Sequence, residues 1–358
     1  MKICMITSYP PKQSGIANYS KNLCEELEKK EKIKIFKWNY EGRINALLSP
    51  FKNLTRLKNA LKNYDVVHIQ YVLGEQMFFF LPLLFVLSCF KSIKKAKIII
   101  TSHEDHTNLK LKWLFLMFHD VFYSCADEIW VHTKFHRNIL SKRIQKKTRV
   151  IPFGIVAFNN EVSFSKTSFS NKPKNNTILL AGFINPWKGH DIAINAVNII
   201  RKKIPNIKLI LVGKAHNKKY TLYIQNLIKN LNLEYNIILK TGFIPQKEFE
   251  KLFKESRILL IPYRRTTMSA VASDTISYAK PAIFSDIPAL KEFTENKAEY
   301  FKNGDYKDLA EKIINLLKNQ KKQKDIEDTF KVIRTEKSWK NTAKKHYEMY
   351  QELLGKLT

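Results

Sequence analysis

Residues 183–194 read FINPWKGHDIAI and place Lys188 and Gly189 side by side where an amphipathic segment opens. Gly182 closes the apolar run before them. The first turn of a helix leaves backbone N–H groups unpaired and carries the positive end of the macrodipole, so it attracts anions. A lysine at that spot predicts a phosphate-bearing ligand. Gly189, without a Cβ, lets the backbone approach it closely. A second glycine with the same potential is Gly15, at a strand–loop–helix corner in YPPKQSGIANYS, where its N–H can face a phosphate. His103 closes an apolar strand in TSHED, with Glu104 and Asp105 beside it, and a neutral imidazole there can hydrogen-bond a hydroxyl.

These residues sit at one kind of place. Apolar strand-like runs at 2–8, 32–38, 64–71, 96–103, 128–133 and 149–155 alternate with helix-like segments. The first helix spans 16–30, with Ile16, Tyr19, Leu23 and Leu27 on one face. Residues 157–176, rich in Asn and Ser, read as a linker. The pattern restarts with strands at 177–183, 207–213, 236–242, 257–263 and 281–286. Such alternation predicts an α/β chain of two parallel-sheet domains with helices on both faces. Ligands bind beyond the carboxyl ends of such strands. Gly15, His103, Gly154, residues 182–188, Gly213, Gly242 and the stretch from Tyr263 onward all lie there. Two such domains facing each other would make a cleft, the expected site. The domains are expected at 1–160 and 161–338. A last helix, 339–358, is capped by Ser338 and striped by Trp339, Ala343, Tyr347, Tyr350 and Leu354; it is expected to pack back on the first domain.

Composition narrows the partners. The 358 residues are 44% hydrophobic, enough for two cores. The formal net charge of +30 favours an anionic surface. The positive charge is spread along the chain and no RRM, KH or zinc-finger pattern accompanies it, so nucleic acid is not the expected partner. The run MFFFLPLLFVLSCF, 77–90, is too short and too proline-broken to span a bilayer. With KSIKKAK, 91–97, after it, it fits either a helix at an anionic membrane face or a helix buried under a sheet. Four cysteines without a CxxC spacing read as free buried thiols in a reducing cytoplasm, and no secretory leader is visible. His132 and His136 are four apart but lack the glutamate of HExxH, so no metal is expected. A hydride-transfer enzyme would need GxGxxG after the first strand and an acid ending the second; the chain has neither.

Taken in order, the motifs resemble the retaining, GT-B fold, nucleotide-sugar-dependent glycosyltransferases of family four. PPKQSGIANYSKNL resembles the family's first glycine loop, and DVVHIQY and IIITSHED its third and fourth strands. VIPFGI is similar to the segment before the interdomain crossing, GFINPWKGHDIAINA to the lysine–glycine signature, and LVG, TGFIP and IPYR follow in family order. YAKPAIFSDIPALKE resembles the family's closing motif, with Ala279 where glycine is usual.

The resemblance implies a metal-independent sugar transfer from a nucleoside diphosphate donor, without a further cofactor. The acceptor is expected to be a glycan or lipid-linked sugar at the cytoplasmic membrane face, in polysaccharide or glycoconjugate synthesis. It implies that Lys188 binds the donor diphosphate, His103 the donor sugar and Asp274 the ribose. Gly15, Ile16, Gly154, Gly182, Phe183, Gly189, Gly213, Phe243, Ile244, Arg264, Thr266 and the segment Ser269, Ala270 and Val271 would line the substrates. Three departures stand out. Phe183 occupies a position where relatives carry arginine, and Arg264 or Arg265 is the candidate for the missing cation. The family's two glutamates fall on Thr266 and Asp274, and threonine cannot act as a carboxylate. An inactive nucleotide-sugar-binding relative, or a basic nucleic-acid-binding protein, is the alternative.

Overall fold

A computed structural model describes residues 1–12, 14–30, 34–39, 50–71, 96–103, 120–157, 176–242 and 244–355. The apolar run 77–90, Cys89, Glu104, Asp105, Phe243 and nearly all of the expected linker lie outside the described residues. The chain forms two compact units, Met1–Gly154 with Lys337–Thr358, and Ile155–Glu336. The first unit ends six residues short of the expected boundary at 160. Ile151 still pairs with Val131, and Gly154 packs on Trp339, so the chain leaves the first unit only there.

The first unit holds strands β1 (Lys2–Thr7), β2 (Lys34–Asn39), β3 (Val66–Tyr71), β4 (Lys97–Ser102), β5 (Glu128–Val131) and β6 (Thr148–Val150). They form one parallel sheet in the order β2-β1-β3-β4-β5-β6. Every residue of β3, including His68 and Gln70, is buried, as expected of a central strand covered on both faces. Helix α1 (Gly15–Glu28) starts where Ser14 accepts the Ala17 N–H at 3.1 Å, and it buries Tyr19, Leu23 and Leu27, with Ile16 half-buried. Helices α2 (Pro50–Asn63), α3 (Lys134–Ile139) and α4 (Lys142–Gln145) follow.

The second unit repeats the scheme with β7 (Thr177–Ala181), β8 (Lys208–Gly213), β9 (Ile237–Thr241), β10 (Ile258–Ile261), β11 (Ala282–Ser285) and β12 (Glu299–Phe301). The order is β12-β11-β10-β7-β8-β9, again all parallel. Short, half-exposed β12 has too few apolar residues to be read from the sequence. Its helices are α5 (His190–Ile200), α6 (Lys218–Asn230), α7 (Gln246–Glu255), α8 (Ala270–Ser277), α9 (Pro288–Phe293), α10 (Tyr306–Lys318) and α11 (Gln320–Glu336). Chain direction along the sheet reverses between β7 and β10. The loops leaving those two strands flank this switch point, the usual ligand position in an open sheet.

Helix α12 (Trp339–Leu353) returns to the first unit and packs on α1. Ser338 caps it, accepting the Asn341 N–H at 3.3 Å. Its buried face is Trp339, Thr342, Ala343, His346, Met349 and Tyr350. Tyr347 and Leu354, placed on that stripe by the sequence reading, are half-buried, because the face drifts toward the i+3 positions. Trp339 meets Tyr19 edge-on at 5.0 Å, and Trp130 packs on Tyr350 at 5.1 Å. His346 donates or accepts at Tyr19 Oη across 3.3 Å.

Burial pushes the His346 pKa down from 6.5 to about 3, so the folded protein holds it neutral. An unfolded chain protonates this ring below about pH 6.5, so the neutral ring favours unfolding progressively as pH falls from there. Denaturant titrations at stepped pH between about 6.5 and 5 should show stability falling with acid. His346→Gln should reduce that slope by about 1.4 kcal/mol per pH unit. An unchanged slope would place the titration elsewhere.

Candidate active site

The lysine of the KG pair does not stand at the start of α5. Residues Pro186–Lys188 form a single 3-10 turn after β7, and α5 begins only at His190. Gly189 joins the two with φ +71°, and a Cβ there would lie 2.0 Å from the Pro262 carbonyl oxygen. Glycine is therefore required by both the left-handed backbone and the close approach of the β10 loop. The turn throws Lys188 inward, where it is 5% exposed. Its Nζ lies 3.6 Å from the centre of the Tyr263 ring and 4.2 Å from that of Trp187. It donates to Ser269 Oγ at 3.5 Å. No carboxylate pairs with it among the described residues, and burial alone drives its pKa well below the usual lysine value.

Ser269 is the N-cap of α8, with its Oγ accepting the Ala272 N–H at 3.5 Å and lying 3.2 Å from Tyr263 Oη. The helix N-terminus beside the lysine is thus that of α8, headed by Ala270 and Val271, and not that of α5. Gly182 lines the same spot: its Cβ direction ends 4.0 Å from Lys188 Nζ and 3.3 Å from a Val271 methyl. Gly213 lets the β8 loop lie on it, since a Cβ would sit 2.1 Å from the Gly182 carbonyl oxygen. Asp274, one turn into α8, is half-buried and unpaired among the described residues; burial raises its carboxyl pKa to about 7. Thr266 donates to the Met268 carbonyl at 2.6 Å and so braces the loop that leads to α8. His190 is fully buried. Burial, with the Lys188 charge, lowers its pKa to about 3.

Arg264, one of the two candidates for the cation expected in place of Phe183, is already paired. Its guanidinium is committed to Asp191 through two bonds of 2.9 and 2.6 Å and to the Pro186 carbonyl at 2.7 Å. Its backbone N–H donates to the Trp187 carbonyl at 2.9 Å. Tyr220 donates its hydroxyl to the same Asp191 at 2.6 Å. Burial would raise the Asp191 pKa, but the Arg264 and Tyr220 hydrogen bonds prevail and hold it below the usual carboxylate range. Arg264 therefore spans the Lys188 turn, gripping Pro186 and Trp187 on one side and Asp191 on the other. Phe183 is 45% exposed and packs on His216, ring centres 5.6 Å apart. Ile184 is buried and Ile244 half-buried.

In the first unit, Gly15 and Ile16 open α1 beyond the carboxyl end of β1. His103 follows β4, edge-on to Tyr19 at 4.8 Å. Its Nε2 lies 2.8 Å from Gln70 Oε1 and its Nδ1 3.1 Å from His132 Nε2, so protein groups meet both nitrogens. Burial, then the neighbouring histidines, keep its pKa well below normal. Gly154 has a structural job: a Cβ there would lie 2.4 Å from the Trp339 ring, so it makes room for that indole. A separate hollow of about 600 Å³, lined by Lys2, Lys34, Arg56 and Tyr64 among others, lies at the amino ends of β1 and β2, opposite His103. Sequence reasoning missed Trp187, Asp191, Tyr220, Gln70 and the role of His132. Asp191 and Arg264 carried one faint signal, as opposite charges just past two strand ends.

Residues 163–331 match the family Glycosyl transferases group 1. An uncharacterized glycosyltransferase of Methanocaldococcus jannaschii is 24% identical over 99% of both chains. Among solved structures, Anabaena HepE in complex with UDP and glucose is 15% identical with a TM-score of 0.73, covering 98% of this chain and 100% of that one. Sucrose-phosphate synthase from Thermosynechococcus elongatus is 16% identical with a TM-score of 0.77, covering 99% of each chain. The fold is the two-domain, Rossmann-like GT-B fold. The matched segment, the relative and the shared fold together support a group 1 glycosyltransferase.

The brace around Lys188 can be tested by itself. Arg264→Ala and Asp191→Ala should each cost about 1 kcal/mol of stability, and the double variant little more than either one. Urea unfolding of the four proteins gives the cycle. Fully additive losses would mean the two side chains act separately.

Proposed function

We propose that this glycosyltransferase takes its sugar from a nucleoside diphosphate donor and that Lys188 binds the diphosphate. One observation carries the reading: a buried lysine, paired with no carboxylate among the described residues, stands beside a helix N-terminus at the switch point of the second sheet. Both groups favour an anion in the same place. Positive charge fixed there would stabilise the oxygens of the departing diphosphate as the bond to the sugar breaks. The N–H groups of Ala270 and Val271 would add donors. Asp274, ionised above about pH 7, would accept from ribose hydroxyls.

The reading extends to a retaining, metal-independent transfer. The carbon–oxygen bond between sugar and diphosphate breaks, and a new one forms to the acceptor oxygen. The acceptor proton passes to an oxygen of the leaving diphosphate, so no protein base is required. His103 is assigned the donor sugar on the strength of the motif resemblance. Anabaena HepE, solved with UDP and glucose, makes UDP-glucose the first donor to try. A glycan or lipid-linked acceptor at the cytoplasmic face of a membrane is supported by the net charge of +30 and by the apolar-then-cationic sequence at 77–97. The described helices include none long and apolar enough to cross a membrane.

Thr266, standing where relatives carry a glutamate, favours a second reading, a protein that binds the donor without turning it over. A thermal-shift panel of UDP, GDP, ADP and TDP with their sugar conjugates, paired with a donor-consumption assay, separates the two. One nucleotide should raise Tm, and Lys188→Ala should abolish the rise and cut turnover by about 100-fold or more. A loss below about threefold would remove Lys188 from the mechanism. A Tm rise without donor consumption would favour the binding protein.

A further inference from the structure

Behind His103, polar side chains form a continuous file through the first unit. The Ile151 carbonyl oxygen lies 3.1 Å from His132 Nδ1, and His132 Nε2 lies 3.1 Å from His103 Nδ1. His103 Nε2 contacts the Gln70 carboxamide at 2.8 Å. The far side of that carboxamide is 3.3 Å from His68 Nε2, and His68 Nδ1 is 2.6 Å from Tyr350 Oη on α12. His68, Gln70, His132 and Tyr350 are buried, and His103 is partly so.

Burial holds all three imidazoles neutral, with pKa values well below normal for His68 and His103 and about 4 for His132. It also raises the Tyr350 pKa, so that hydroxyl keeps its proton. Each neutral ring then has one donor and one acceptor nitrogen. The Ile151 carbonyl can only accept, so His132 carries its proton on Nδ1 and its Nε2 accepts. His103 must donate from Nδ1 to that nitrogen, which leaves His103 Nε2 as an acceptor. Two neutral rings cannot supply protons to three contacts that have oxygen at both ends. The file closes when the Gln70 carboxamide presents its N–H₂ to His103 and its oxygen to His68. His68 then donates from Nε2, where Thr101 Oγ1 at 2.7 Å also accepts, and receives the Tyr350 hydroxyl proton at Nδ1.

We propose that Tyr350 heads a one-way hydrogen-bond file, running through His68, Gln70, His103 and His132 to the Ile151 carbonyl, that holds His103 with its proton on Nδ1 and an acceptor lone pair on Nε2. Tyr350, His68, Gln70 and His132 are positioning residues, acting through His103. The consequence for chemistry rests on the donor-sugar role proposed above for His103. A sugar hydroxyl meeting this ring donates to Nε2 and takes the place of Gln70. His103 therefore selects for a hydroxyl donor and against a group that can only accept.

The test is a long-range proton–nitrogen NMR spectrum of the full chain, ligand-free and labelled with ¹⁵N at histidine, with His103→Gln identifying the His103 signals. His103 and His132 should be protonated on Nδ1 and His68 on Nε2, each favoured by about tenfold or more. His103 with its proton on Nε2, or an even mixture, overturns the proposal. Gln70→Glu, at a pH where its carboxylate is ionised and can only accept, should move the His103 proton to Nε2 or charge the ring; an unchanged pattern there would also overturn it. If that variant fails to fold, the wild-type spectrum still decides. No ligand enters the measurement, so failure of the sugar contact would leave the expected pattern intact.

Discussion

A lysine side chain removed from water, with no carboxylate beside it among the described residues, is the constraint around which the second unit is arranged. Burying a charge is costly unless other groups replace its hydration. Here two aromatic faces, Trp187 and Tyr263, and one hydroxyl, Ser269, replace part of it. The nearby end of α8 works in the opposite sense, because it too is positive. Lys188 and the α8 terminus are thus poorly matched to each other and jointly matched to an anion. A carboxylate partner would have satisfied the lysine and filled the place where the anion goes.

The rest of the unit keeps that arrangement in position. The β7 and β10 loops come together because their strands are neighbours at the point where chain order reverses. Gly189 allows the contact with Pro262 that presses the loops together, and Arg264 ties the lysine turn down on both sides. Thr266, unable to serve as a carboxylate, is spent on fixing the path from β10 to α8. In the first unit the same economy appears in a different form. His103 is met by Gln70 of β3 and by His132 just past β5, and α12 reaches the same cluster through Tyr350 on His68.

Much of this was legible in the sequence because strand runs and strand ends carry strong local signals. The eleven strands expected from apolar runs all exist, each one to four residues shorter, with β2 ending one residue later and β6 starting one residue earlier than expected. Side-chain direction was not legible. The KG pair reads as a helix start, yet the left-handed backbone at Gly189 turns Lys188 away from α5 and toward α8. Arg264 reads as a spare cation because its partner, Asp191, is remote in sequence and only the fold brings them together. Gly154 reads as a ligand contact because nothing local announces Trp339 arriving from the C-terminal helix. The histidine file is likewise invisible in one dimension, since its members come from four separated segments.

The central claim is that Lys188 waits, uncompensated, for a diphosphate. Calorimetric titration of UDP, GDP, ADP and TDP into the full chain at mildly alkaline pH, in buffers of different ionisation enthalpy, tests it most directly. Burial favours the uncharged amine in the empty site, and a bound diphosphate favours the ammonium. Binding of one nucleotide should therefore take up protons, and Lys188→Met should lose that uptake together with about tenfold or more of the affinity. Equal affinity and equal proton uptake in the two proteins would contradict the account.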